Sequence, residues 1–208
     1  MKTKTFVMLI LLFITVFVLG FIGFQFFLKQ NYKPGVDGIA KVNTAILYCS
    51  YGEGVKNMVD VIANKIKSDV IEIKPAVPYP ADKAALYDRI KKENEGLSAI
   101  VLDNIDINIR KYKLLIFATP IIQDKPCPVI QKLINDNEAR FKNKAVSTLV
   151  MYDEAKDTPK ATMDFFYYRL HEARQKPSYL TLSKGKEQLE YEIKLWFDEM
   201  EFKREELR

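Results

Sequence analysis

The sequence predicts an α/β protein, a three-layer, doubly wound, five-stranded parallel sheet preceded by one transmembrane helix. Three observations carry this. Short apolar runs alternate with stripes of helical period along residues 44–208. Leu114-Leu115-Ile116-Phe117-Ala118 has no polar member, as a central parallel strand covered on both faces requires. From Phe6 to Leu28 no residue is charged, and as a helix that run spans ~30 Å or slightly more, enough to cross a bilayer core.

Lys2 and Lys4 would also suit the basic region of a cleaved signal peptide. The apolar run exceeds the ~7–15 residues of a signal core, and Phe21, Phe24, Phe26 and Phe27 crowd the cleavage zone, so an uncleaved single-pass anchor over residues 1–28 is expected. Charge does not set its direction, because Lys2 and Lys4 on one side face Lys29, Lys33 and Lys41 on the other. Residues 29–43, with Pro34, Gly35 and Gly38, read as a flexible linker to a domain over 44–208.

Beyond Lys4, 30 basic residues face 27 acidic ones with the signs interspersed, so nothing points to nucleic acid. Cys49 and Cys127 are far apart, lack metal-ligand spacing and read as ordinary thiols.

In chain order, Ala45 to Cys49 is a first buried strand that passes through Ser50-Tyr51-Gly52-Glu53-Gly54 into a helix with the stripe Val55, Met58, Val59, Ile62 and Ile66. Val70 to Ile73 is a second strand. After the proline-rich turn from Pro75 to Pro80, Asp82 is the expected N-cap of a polar helix running to about Asn94. Ile105, Ile107 and Ile109 read as an extended surface excursion. Past the third strand and Thr119-Pro120, Val129, Ile130, Leu133 and Ile134 open a helix. Val146 to Met151 is the fourth strand. Thr158-Pro159 caps a helix with the stripe Met163, Phe166, Tyr167 and Leu170, ending near Arg174. Tyr179 to Leu182 is the last strand, followed by a helix carrying Leu189, Ile193, Trp196, Phe197 and Met200 on one side.

The turn after the first strand is the expected ligand site. Helix amides there point at whatever lies above the strand's carboxyl end, and glycines let backbone approach closely, so phosphate is the natural guest. Glu53 sets a negative charge in its way.

Pro78-Tyr79-Pro80-Ala81-Asp82 with Asp88-Arg89, Ile107-Asn108 through Tyr112 leading into Leu115-Ile116-Phe117, Pro120-Ile121 and Pro126-Cys127-Pro128 together resemble the flavodoxin-like family, over about Ala45 to Phe197. The resemblance implies strand order 2-1-3-4-5 and an FMN site at the carboxyl ends of the first, third and fourth parallel strands. It places cofactor contacts at Ser50, Tyr51, Gly52, Glu53, Gly54 and Val55, at Pro120, Ile121, Ile122 and Gln123, and at Tyr152 and Asp153. In relatives the first loop usually reads Ser-x-Thr-Gly-Asn-Thr. Here only Ser50 matches, with Gly52, Glu53, Gly54 and Val55 in the next places. The second loop of relatives carries aromatics where this chain has Ile122-Gln123-Asp124-Lys125, and the glycine-rich third loop is replaced by Tyr152 to Asp157, which has no glycine. Lys56 is placed to neutralise one phosphate charge, and Tyr152 to supply an aromatic.

Other features have plainer readings. The acids Glu53, Asp124, Asp153, Glu154 and Asp157 could gather a cation, but Lys56, Lys125 and Lys156 are interleaved and no metal signature is present. His171 stands alone near a helix end. In Phe165-Phe166-Tyr167-Tyr168 the middle pair is expected in the core. Two functions follow: a membrane-anchored FMN-dependent electron-transfer or reductase domain with a redox partner protein, or a flavin-free interaction module on the same scaffold at the membrane.

Overall fold

A computed structural model describes residues 13–21, 35–103, 107–142, 144–152, 158–181 and 186–199, with backbone alone at 35–36, 53, 174–181, 186–190 and 199. Residues 13–21 are helical, with Phe13, Val16, Phe17 and Leu19 all exposed. Among the described residues no helix is long and apolar enough to cross a membrane. The rest of the uncharged run from Phe6 to Leu28 lies outside them. The stretch read as a slack linker contains a short helix, α1 (Gly35–Ile39), whose Ile39 is buried together with Val42.

The domain then runs β1 (Thr44–Tyr48), α2 (Glu53–Ile66), β2 (Asp69–Glu72), α3 (Lys83–Asn94), β3 (Leu114–Ile122), β4 (Lys125–Pro126), α4 (Pro128–Asn137), β5 (Ala145–Tyr152), α5 (Lys160–Arg169), β6 (Arg174–Thr181) and α6 (Lys186–Glu199). The five parallel strands stand in the order β2-β1-β3-β5-β6, the expected winding once β4 is set aside. The expectation of a purely parallel sheet is corrected by β4, a two-residue strand that returns antiparallel along the end of β3, Ile122 opposite Lys125. Register is continuous across the centre, with Leu47 beside Phe117 and Phe117 beside Thr148.

Every residue of β1 and of β5 is buried, because helices cover both faces. Alternating side chains divide the core. Ala45, Leu47, Leu115 and Phe117 meet Val129, Ile130 and Phe166 of α4 and α5 on one face. Ile46, Tyr48, Leu114 and Ile116 meet the predicted stripe of α2 and Ile193, Trp196 and Phe197 of α6 on the other. Asp82 caps α3 as expected, accepting the Ala85 N–H at 2.9 Å.

Several expectations fail for physical reasons. Thr158 does not cap α5, because its N–H and hydroxyl both donate to the Asp124 carboxylate, at 2.7 and 3.1 Å, and Pro159 stands at the N-cap. Helix α5 ends at Arg169, leaving Tyr167 63% exposed rather than in the core. Ile107 and Ile109 are buried in the main core, so the excursion before β3 is a packed loop rather than a surface one. Strand β6 begins at Arg174, earlier than its apolar residues suggest. Leu189 and Met200 fall among side chains outside the description.

Candidate functional site

Strand β1 delivers the chain to the switch point, where α2 leaves on one face of the sheet and the segment after β3 leaves on the other. The turn between is closed by its own side chain. The Ser50 hydroxyl donates to the Gly52 carbonyl and accepts the Gly52 N–H at 3.2 Å. Helix α2 starts with Gly52 at its N-cap, in extended backbone with φ 166°, and no side chain caps it. A Cβ at Gly52 would meet nothing within 4 Å, so the space beside the first turn is open. A helix N-terminus leaves several N–H groups without intrahelical partners, and of these the Gly52 N–H is taken up by Ser50. Val55 is buried beneath the helix rather than presented at the mouth. Lys56 is ion-paired with Asp60 one turn along, at 2.6 Å.

The second loop is a tight hairpin. Gln123 and Asp124 have φ of 57° and 61°, as a two-residue turn of the mirror-image type requires, although neither is glycine. Asp124 fixes it through Thr158 and through its carbonyl, which accepts from the Thr162 hydroxyl at 3.0 Å. Pro120 is half-buried. Ile121 packs in the main core and Ile122 against Leu86 and Ile90 of α3, so the two isoleucines face inward, while Gln123 is exposed. Tyr152 is also part of the core cluster, not a ring presented over a cleft. Asp153 and the other third-loop acids up to Asp157 lie outside the described residues.

Cys49 and Cys127 are joined in a disulfide, with Cα atoms 6.4 Å apart and both residues 1% exposed. The reading as separate thiols is therefore corrected. Cys49 follows β1. Cys127 stands at the N-cap of α4, its N–H donating to Thr119 Oγ at 2.9 Å. The bond ties together the two loops that border the switch point. The signal was present in the winding, since adjacent strands bring their carboxyl ends together, but separation along the chain concealed it.

A cleft of about 370 Å³ opens on the β2 side of the first loop, lined by Cys49, Ser50 and Tyr51 and by Ile73, Pro78 and Tyr79 of the following segment. Among the described residues, Ser50 and Tyr51 are the sequence-predicted contacts that line it. Its wall is a buried polar network. Tyr51 meets Tyr79 edge to face at 5.1 Å, the Tyr79 hydroxyl donates to Glu93 Oε2 at 2.8 Å, and Arg89 Nε donates to Glu93 Oε1 at 2.9 Å. The Arg89 guanidinium lies 4.5 Å from the centre of the Tyr79 ring and bonds the carbonyls of Val77 and Pro78. Burial first, then Glu93, pushes the Tyr79 phenol up. Burial and the neighbouring Tyr79 do the same to Tyr51, against the opposing Arg89. The Tyr51 hydroxyl is itself buried and, among the described residues, makes no hydrogen bond of good geometry, with Tyr79 the phenol that acts on it. Sequence reading marked the Pro78 to Asp82 motif without seeing that Arg89 and Glu93 hold it down.

The residues fit FMN unevenly. Helix α2 begins at the switch point with no cap from the Gly52 side, as a phosphate site requires, whereas Tyr152 is in the core and Tyr51, which lines the cleft with Tyr79, is packed edge to face on that ring.

No family model and no curated protein matches the chain. Solved structures do. A flavoprotein of Lactobacillus acidophilus, solved in complex with FMN, is 24% identical with a TM-score of 0.55 over 66% of this chain and 92% of that one. A protein of Bacteroides eggerthii classed as a flavoprotein is 18% identical with a TM-score of 0.62 over 76% of this chain and 96% of that one. With the β2-β1-β3-β5-β6 winding, these likenesses establish that the chain has a flavodoxin-like α/β fold.

Proposed function

We propose that the domain binds FMN, with the phosphate at the start of α2, and serves as an electron-transfer or reductase flavoprotein tethered to a membrane through residues 6–28. The observation that carries this is the uncapped, open N-terminus of α2 at the carboxyl end of β1, in a fold whose structural neighbours include a protein solved with FMN. Bound FMN would supply reversible uptake of one or two electrons. The chain's own part is to hold and orient. The N–H groups of Glu53, Gly54 and Val55 offer donors, the Ser50 hydroxyl shapes the turn, and half-buried Pro120 and exposed Gln123 border the site from the second loop. A redox partner protein is the corresponding proposal for the electron's other end.

The buried positions of Ile121, Ile122 and Tyr152 favour a second reading, a flavin-free module that kept the scaffold. Titration of the purified domain with FMN, followed by quenching of flavin fluorescence, separates the two. Saturable quenching supports the first, and a colourless domain that leaves added FMN fluorescent refutes it. Glu53→Gly should tighten binding, by removing a carboxylate from the start of the helix where the phosphate is proposed to sit. Unchanged affinity would count against placing the phosphate there.

A further inference from the structure

The two sulfurs of the Cys49–Cys127 bridge are 1% exposed residues set at the carboxyl end of β1 and the first cap of α4, 78 residues apart in sequence. Neither belongs to a C-x-x-C pair or stands beside a third cysteine that could resolve it, and no free cysteine remains. A buried bridge of this kind is a structural staple rather than an exchanging redox centre, whose attacked sulfur must be reachable. Staples of that sort form and persist where the surroundings are oxidising, whereas cytosolic thiol pools keep such pairs reduced.

A second feature, remote from the first, bears on the same question. The uncharged run from Phe6 to Leu28 targets a membrane whether it remains as an anchor or is cut as a signal, but lysines on both flanks leave its direction open. The disulfide breaks that tie. We infer that the domain is carried across the membrane and matures on its oxidising, extracytoplasmic side, with the amino terminus left behind. Closing the bridge there removes two protons and two electrons from the Cys49 and Cys127 thiols. The acceptor is the disulfide of a thiol oxidase, which leaves as a dithiol while the new S–S bond forms in this chain. Apart from the membrane tether, nothing in the inference depends on the flavin reading, and a colourless domain would be placed on the same side.

The test uses the full chain in a bacterial host. Cells are quenched in acid, the protein is unfolded, and a maleimide polymer large enough to retard the band in a gel is added with and without prior reduction. In parallel, protease is applied to cells stripped of their wall but with the membrane intact. The expected result is no polymer adduct before reduction, two after it, and loss of the domain to protease without permeabilisation. Two adducts before reduction would overturn the inference. So would a domain, oxidised or not, that survives protease until the membrane is opened.

Discussion

Replacing both Cys49 and Cys127 by alanine should lower the melting temperature by about 10 °C. The bridge spans 78 residues. In the chain-entropy account, a closed loop of that length removes enough freedom from the unfolded chain to contribute roughly 4.5 kcal/mol at 25 °C, and measured values more often fall at 2–4. A domain of this size has an unfolding entropy near its midpoint of roughly 0.3 kcal/mol/K, so 2–4.5 kcal/mol corresponds to about 6–15 °C. The assay is circular dichroism against temperature for the oxidised protein, the double variant, and the parent unfolded in excess reductant. Both of the last two should melt lower than the oxidised protein, because the main term belongs to the cross-link, with the variant about 3 °C below the reduced parent because its lost sulfur packing costs about 1 kcal/mol more. If the variant melts within about 2 °C of the parent, or reductant leaves the parent unmoved, the bridge does not constrain the chain as described.

Three other expectations rest on the cleft wall and the buried phenols. Arg89→Ala should cost about 3 kcal/mol in urea unfolding, because it strands the buried Glu93 carboxylate and frees the Val77 and Pro78 carbonyls; a loss under 1 kcal/mol would show that Glu93 finds water instead. Tyr51→Phe should be neutral or stabilising by up to about 1 kcal/mol in the same assay, since the hydroxyl it deletes is buried and makes no hydrogen bond of good geometry among the described residues; clear destabilisation would mean that the hydroxyl is bonded. Burial first, then Glu72 and Asp60, pushes Tyr48 up to about 12, above the ~10 of an unfolded tyrosine, so its contribution is whole below pH ~10 and is lost as pH rises toward 12. Urea midpoints should therefore hold from pH ~8 to ~9.5 and fall steeply above, less so in Tyr48→Phe; equal slopes in both proteins would refute the assignment.

The strands were legible where burial on both faces made them uniformly apolar, as in β1 and β3, and α2 was legible because one stripe of five residues satisfies one period. Strand β6 was cut short because Arg174, Gln175, Lys176 and Pro177 hide a paired segment behind polar and proline chemistry. Phe165 to Tyr168 defeats periodicity altogether, since four consecutive aromatics cover more than one helix face and only the neighbours decide that Phe166 goes in and Tyr167 out. The Gln123-Asp124 turn carries no glycine, so nothing local announces two residues at positive φ; the hold on Asp124 comes from Thr158 and Thr162, more than thirty residues away.

The site divides along the same line. The proposed phosphate corner would be made of backbone, the first amides of α2, and a strand, a glycine pair and a helix stripe were enough to locate the strand-to-helix junction that presents them. The ring corner must be made of side chains, and their roles depend on where they are packed. Ile121, Ile122 and Tyr152 looked in sequence like material for a flavin wall and are spent instead on the core and on α3. A junction of this kind can exist where the neighbouring side chains are packed away from any ring, and for that reason the affinity of the domain for FMN, measured against its affinity for the phosphate portion alone, is the quantity that distinguishes a working flavoprotein from a flavin-free scaffold: a ring that is gripped adds several kcal/mol to the phosphate's share, and one that is not adds none.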